Sequence, residues 1–168
     1  MSREITINFF RDKDNDTVAC QIEGAKYIVY GFALSDTQFT PLHMLNMALG
    51  QCLAELALRF LERRRLKPCC LITLSMTVND TSQVRIERTD VVVKLPLRLS
   101  EDDKTVLIRV LHQCPIHAVI SGGITTRIVV CEDCESISRY EKNILTDMQD
   151  TAGSIPPAPI PDYALWHR

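Results

Sequence analysis

The residue types most able to do chemistry in this sequence are its seven cysteines, Cys20, Cys52, Cys69, Cys70, Cys114, Cys131 and Cys134. An odd number of cysteines in a reducing compartment points to thiols, metal ligands or redox groups rather than to a disulfide framework. Cys52 lies inside a long apolar run, and Cys114 stands directly before Pro115. Two such thiols, if brought together, can do two-electron chemistry. One attacks an electrophile as the thiolate, and the other condenses with the oxidised product to a disulfide. A free cysteine can equally be a small buried hydrophobe, and Cys20 and Cys70, on the apolar sides of strand patterns, read that way. Cys131-Glu132-Asp133-Cys134 is a Cys-x-x-Cys unit that could form a redox pair or half of a tetrahedral zinc site. No second such unit completes it, so Cys69-Cys70 and His112 or His117 would have to converge on it by folding. His112 and His117 flank Cys114. There an imidazole could shuttle a proton, lower a thiol pKa, or simply sit at a helix end, where a cation suits the dipole.

The elements that position these residues follow from hydrophobic periodicity. Residues 4–10 and 17–22 alternate apolar and polar side chains around the charged turn at 12–16, which predicts a hairpin. The β-branched and aromatic stretch 27–32 predicts a third strand. Thr40-Pro41 then opens a helix whose apolar run, 42–61, ends in Glu62, Arg63, Arg64 and Arg65, cations suited to a helix C-terminus. Only the stripe His43, Asn46, Gly50 and Arg59 interrupts its aliphatic surface, so the helix should be central. Two antiparallel strands follow, from Cys70 to about Leu97 with a turn at Asn79-Asp80. Ser100 caps a second helix with Glu101, Asp102 and Asp103 in its first turn, ending at Cys114-Pro115. A last strand covers 124–130. The order βββ-α-ββ-α-β argues an α+β fold with antiparallel sheets around two central helices. Residues 1–134 form that domain. Residues 135–168 are read as an extension, with a weak helical repeat at Ile137, Tyr140, Ile144 and Met148, a polyproline-type segment at 155–161 and a lone Trp166.

Composition narrows the function classes. The chain has 168 residues, 19 Lys and Arg against 21 Asp and Glu, and 46% hydrophobic residues. That is one globular domain with no broad basic surface for nucleic acid or an anionic membrane. The apolar run 44–60 is broken by Asn46, Gln51, Glu55 and Arg59, so no membrane span is expected. Residues 1–6 lack a basic-then-apolar leader, and a cytoplasmic location is expected.

The stretch Thr40-Pro41-Leu42-His43-Met44-Leu45-Asn46-Met47-Ala48-Leu49-Gly50-Gln51-Cys52, together with Cys114-Pro115-Ile116 after a second helix, resembles the OsmC/Ohr family of hydroperoxide reductases. The likeness runs through residues 4–131 in element order. It implies an intertwined homodimer and a thiol peroxidase in which Cys52 attacks the peroxide and Cys114 resolves to a disulfide. An external dithiol would then reduce that disulfide. It further implies an activating Glu just after the helix-opening Pro and an Arg from the N-terminal strands. Leu42 and His43 stand where the Glu would be, and Arg11 is the positional match for the Arg. At roughly 100° per residue, Leu42 lies about 80° around the helix from Cys52 and His43 on the opposite face. Glu55, three residues beyond Cys52, would raise its pKa unless a cation such as Arg59 offsets it. No cofactor and no resident metal are expected. The rival expectation is a non-catalytic dimer of the same fold that binds a small apolar ligand or a protein partner.

Overall fold

A computed structural model describes residues 2–14, 17–22, 28–29, 41–80 and 84–151. β1 (Ser2–Asp12) and β2 (Thr17–Ile22) form the expected hairpin, and β3 (Ile28–Val29) pairs with β2. The rest of the expected third strand, the proline segment and Trp166 lie outside the described residues. α1 (Pro41–Arg63) is followed by β4 (Cys69–Asp80) and β5 (Val84–Leu95), which pair antiparallel as expected. α2 (Glu101–Leu111) opens with the Ser100 hydroxyl accepting the Asp103 N–H at 3.1 Å. The chain closes with a short α3 (Pro115–Ser121), β6 (Thr125–Glu132) and α4 (Cys134–Thr151).

The α+β class holds, with two differences in detail. The strands form one six-stranded sheet in the order β3-β2-β1-β4-β5-β6, and β6 runs parallel to β5. The connection through α2 and α3 is long enough to return the chain to the end of the sheet it left, which a parallel neighbour requires. The second difference is α3 itself, an added helix where only a break at Cys114-Pro115 was expected.

Alternation along the strands sends apolar side chains to both faces. On one face Ile7, Phe9, Cys20, Ile72, Leu74, Val91 and Val93 pack under Leu49, Leu53, Ala57 and Leu61 of α1 and Leu107 and Leu111 of α2. On the other, Phe10, Ala19, Cys69 and Leu71 are covered by Ile137, Tyr140 and Ile144 of α4. The weak repeat beyond residue 134 is therefore a sheet-covering helix, and the Tyr140 hydroxyl donates to the Asn8 carbonyl at 3.3 Å.

α1 is long and apolar enough, by length and composition alone, to cross a bilayer. Its sheet-facing stripe is instead consumed by the core. A Cβ built on Gly50 would stand 3.1 Å from Leu74 Cδ1 and from Phe9 Cβ and Cγ, so this position lets α1 lie close on β1 and β4. Gly50 and the fully buried Asn46 thus face inward, while Arg59 is exposed.

Candidate active site

The local sequence around Cys114 builds half of the site. A residue before proline is pushed out of the helical region by the pyrrolidine ring, and Cys114 is extended, with φ −60° and ψ 122°. Pro115 then occupies the first helical position, where its missing N–H costs nothing. Cys114 becomes the N-cap of α3, and its sulfur accepts the His117 N–H at 3.4 Å.

Cys52 supplies the other half from the middle of α1, at the half-buried edge of that helix. Its Sγ lies 2.7 Å from Cys114 Sγ, across a sequence separation of 62 residues. The Ile116 N–H bonds to the Cys52 sulfur. The first two free N–H groups of α3 therefore go one to each sulfur. At this separation the sulfurs are not bonded, and closing a disulfide between them needs only a small further approach.

Electrostatically the resting site favours the protonated state of Cys52. The Cys52 thiol is pushed up to about 12, first by burial and then by the neighbouring Cys114 sulfur. The Ile116 N–H and the Arg59 guanidinium pull in the opposite direction. The cation lowering this thiol is thus Arg59. Arg11, partly buried on β1, instead points its Nε at Glu55 Oε1, 3.9 Å away. Leu42 packs against the cluster of Ile5, Met76 and Val78.

His117 does not sit at an exposed helix end. It is buried, its Nε2 lies 3.0 Å from Thr126 Oγ1 on β6, and the exposed His112 ring meets it edge-on with centroids 5.0 Å apart. Burial, then the nearby His112, holds this imidazole below its ordinary value. Sequence reasoning overlooked both this bond and the α3 N–H groups. The available signal was the Cys-Pro pair itself, which reads as an N-cap followed by a first helical residue as readily as a helix stop.

The remaining cysteines separate cleanly. Cys20 and Cys70 are core residues as expected, and Cys69 is buried on the opposite face. Cys131 is the penultimate residue of β6, and Cys134 begins α4 at an exposed position. Among the described residues no three-ligand group forms around them.

A family model described as OsmC-like protein matches residues 34–129, more than half of the chain. A search of the curated proteins finds no match. Among solved structures, a hypothetical protein from Aquifex aeolicus aligns with TM-score 0.52 and 12% identity, over 75% of this chain and 94% of its own. An OsmC like protein from Mycoplasma pneumoniae aligns with TM-score 0.50 and 14% identity, over 74% and 94%. An organic hydroperoxide resistance protein from Elizabethkingia anophelis aligns with TM-score 0.48 and 12% identity, over 75% and 96%. At these identities the first two alignments speak to the fold alone.

Proposed function

The chain belongs to the OsmC-like family, and from that premise we propose that it is a thiol-dependent hydroperoxide reductase with Cys52 and Cys114 as its redox pair. The observation that carries the reading is the 2.7 Å separation of two sulfurs drawn from α1 and from the N-cap of α3. In the first step the Cys52 thiolate attacks the distal peroxide oxygen. The O–O bond breaks, the alcohol leaves with one proton, and Cys52 becomes a sulfenic acid. In the second, the Cys114 thiol displaces that hydroxyl. The S–S bond forms and water leaves, before a second peroxide can carry Cys52 to the sulfinic acid. An external dithiol then reduces the disulfide, taking up the oxidising equivalents.

The chain's own groups have distinct parts in this scheme. The Ile116 N–H and Arg59 stabilise negative charge on Cys52. Arg11 neutralises Glu55, the carboxylate one helical turn from Cys52, so that its charge does not oppose thiolate formation. We also place this chemistry in an intertwined homodimer in the cytoplasm, a reducing location that suits seven free cysteines.

A second reading has its own observation. A Cys52 thiol held up to about 12 and an apolar, half-buried Leu42 packed against Ile5 and Met76 also suit a non-catalytic dimer that binds a small apolar ligand. Counting free thiols before and after one equivalent of an organic hydroperoxide separates the two. Loss of two thiols per chain supports the reductase, and no loss supports the binder.

A further inference from the structure

Away from the Cys52–Cys114 pair, the outer face of the sheet carries a second convergence of reactive groups. Asp12 and Cys69 are register partners on β1 and β4, and Glu141 reaches them from α4. One donor atom from each lies within 4.8 Å of the others. Cys69 Sγ is 3.9 Å from Glu141 Oε1, and Asp12 Oδ1 accepts the Asp14 N–H at 3.0 Å. Asp12 and Cys69 are 1% and 0% exposed, so neither side chain is solvated by bulk water. Two carboxylates and a buried thiol, all potential metal ligands, converge at one place. The Lys67 ammonium stands at its rim: it is 3.9 Å from Asp12 Oδ2 and 3.7 Å from Glu141 Oε1, beyond hydrogen-bond length, with its side chain 47% exposed.

We propose that Asp12, Cys69 and Glu141 form a binding site for a thiophilic divalent cation of the Zn²⁺ class. The cation replaces the Cys69 thiol proton and displaces the Lys67 ammonium into solvent. A sulfur ligand excludes Mg²⁺ and Ca²⁺, which take oxygen, whereas Zn²⁺ accepts thiolate and carboxylate together. A tetrahedral ion holds its ligand atoms about 3.5 Å apart, so the three donors need draw in only slightly. One proton leaves for each ion bound, and the fourth position falls to water on the exposed Lys67 side. Because Glu141 belongs to α4, beyond the residues shared with the family model, the ion would clasp this helix to the sheet.

The test is titration of the reduced full-length chain with Co²⁺ and then Zn²⁺, following the thiolate-to-cobalt charge-transfer band and thermal stability. One equivalent should give the band, Zn²⁺ should displace it, and both ions should raise the melting temperature. Cys69→Ser should abolish the band, and Glu141→Gln should weaken binding about tenfold or more. Lys67→Gln, a half-exposed change that leaves the fold intact, should tighten binding about fivefold or more by removing the competing charge. The Cys131→Ser/Cys134→Ser double variant should give the same band and the same cobalt affinity as the parent. A chain that gives no cobalt–thiolate band overturns the proposal. So does a band that persists in Cys69→Ser or vanishes with Cys131 and Cys134, or a Lys67→Gln variant whose affinity is unchanged or lower.

Discussion

His117 Nε2 stands 3.0 Å from Thr126 Oγ1, and the same residue's backbone N–H donates to Cys114 Sγ. One residue thus ties the first turn of α3 to β6 while orienting a sulfur of the redox pair. His117→Ala should cost about 1–3 kcal/mol by leaving the bond to Thr126 unmade in a buried place. The imidazole is held below its ordinary value of 6.5. The folded state therefore binds fewer protons than the unfolded one just below that value, and stability should be lost as pH falls through it. Denaturant melts at pH 7 and pH 5 should show this loss in the parent and a smaller one in the variant. An equal loss in both would remove His117 from the account.

Gly50 is the contact point of α1 with the sheet, and a β-branched side chain there has nowhere to go. Gly50→Val should destabilise the fold by about 1–3 kcal/mol through overpacking against Phe9 and Leu74. Urea unfolding checks this, and an unchanged midpoint would show that α1 can lift away from β1 and β4 freely.

The raised Cys52 thiol gives a definite pH dependence. Because only the thiolate attacks and its folded pKa lies near 12, the rate of peroxide consumption should climb about tenfold per unit between roughly pH 7 and 9 without levelling. Arg59→Gln should slow the reaction about two- to threefold at low salt. Added salt should erase the difference, since this guanidinium is exposed and its charge is screened. Stopped-flow traces across pH and ionic strength test both statements. A plateau below pH 8 would mean that other groups lower the thiol.

Leu42 marks the clearest departure from the pattern of the resembled family. Since it packs with Ile5, Met76 and Val78, Leu42→Glu should place a carboxylate against apolar side chains. The outcome should be about 1–3 kcal/mol of lost stability and no gain in rate. Thermal melts beside peroxide assays decide it, and a faster enzyme would show that the side chain can swing toward Cys52.

Much of this architecture was legible because one physical signal dominated each element. Ile72, Leu74, Met76 and Val78 alternate on β4, and the apolar run of α1 between Pro41 and three arginines left little choice of structure. The resemblance to the OsmC/Ohr family then singled out Cys52 and Cys114 as the pair to watch, and their sulfurs meet. What stayed hidden depended on long-range packing. Pro115 was read as a stop, although the same residue is the favoured first position of the helix that folds His117 onto β6. Gly50 and Asn46 were grouped with His43 and Arg59 as a polar stripe, yet they face the sheet, because a small residue marks close approach as readily as exposure. The docking of α4 depended on Phe10, Ala19 and Leu71 forming an apolar outer face, and only strand register makes that visible.

The division of labour between Cys52 and Cys114 is tested most directly by exposing the parent chain, Cys52→Ser and Cys114→Ser to one equivalent of an organic hydroperoxide and weighing the products by intact-mass spectrometry. The account expects the parent to lose two hydrogens as a Cys52–Cys114 disulfide, and Cys52→Ser to remain unmodified at both sites. Cys114→Ser should turn over once and stop with Cys52 as sulfenic or sulfinic acid. Identical behaviour of the two serine variants, or full peroxide consumption by both, would contradict it.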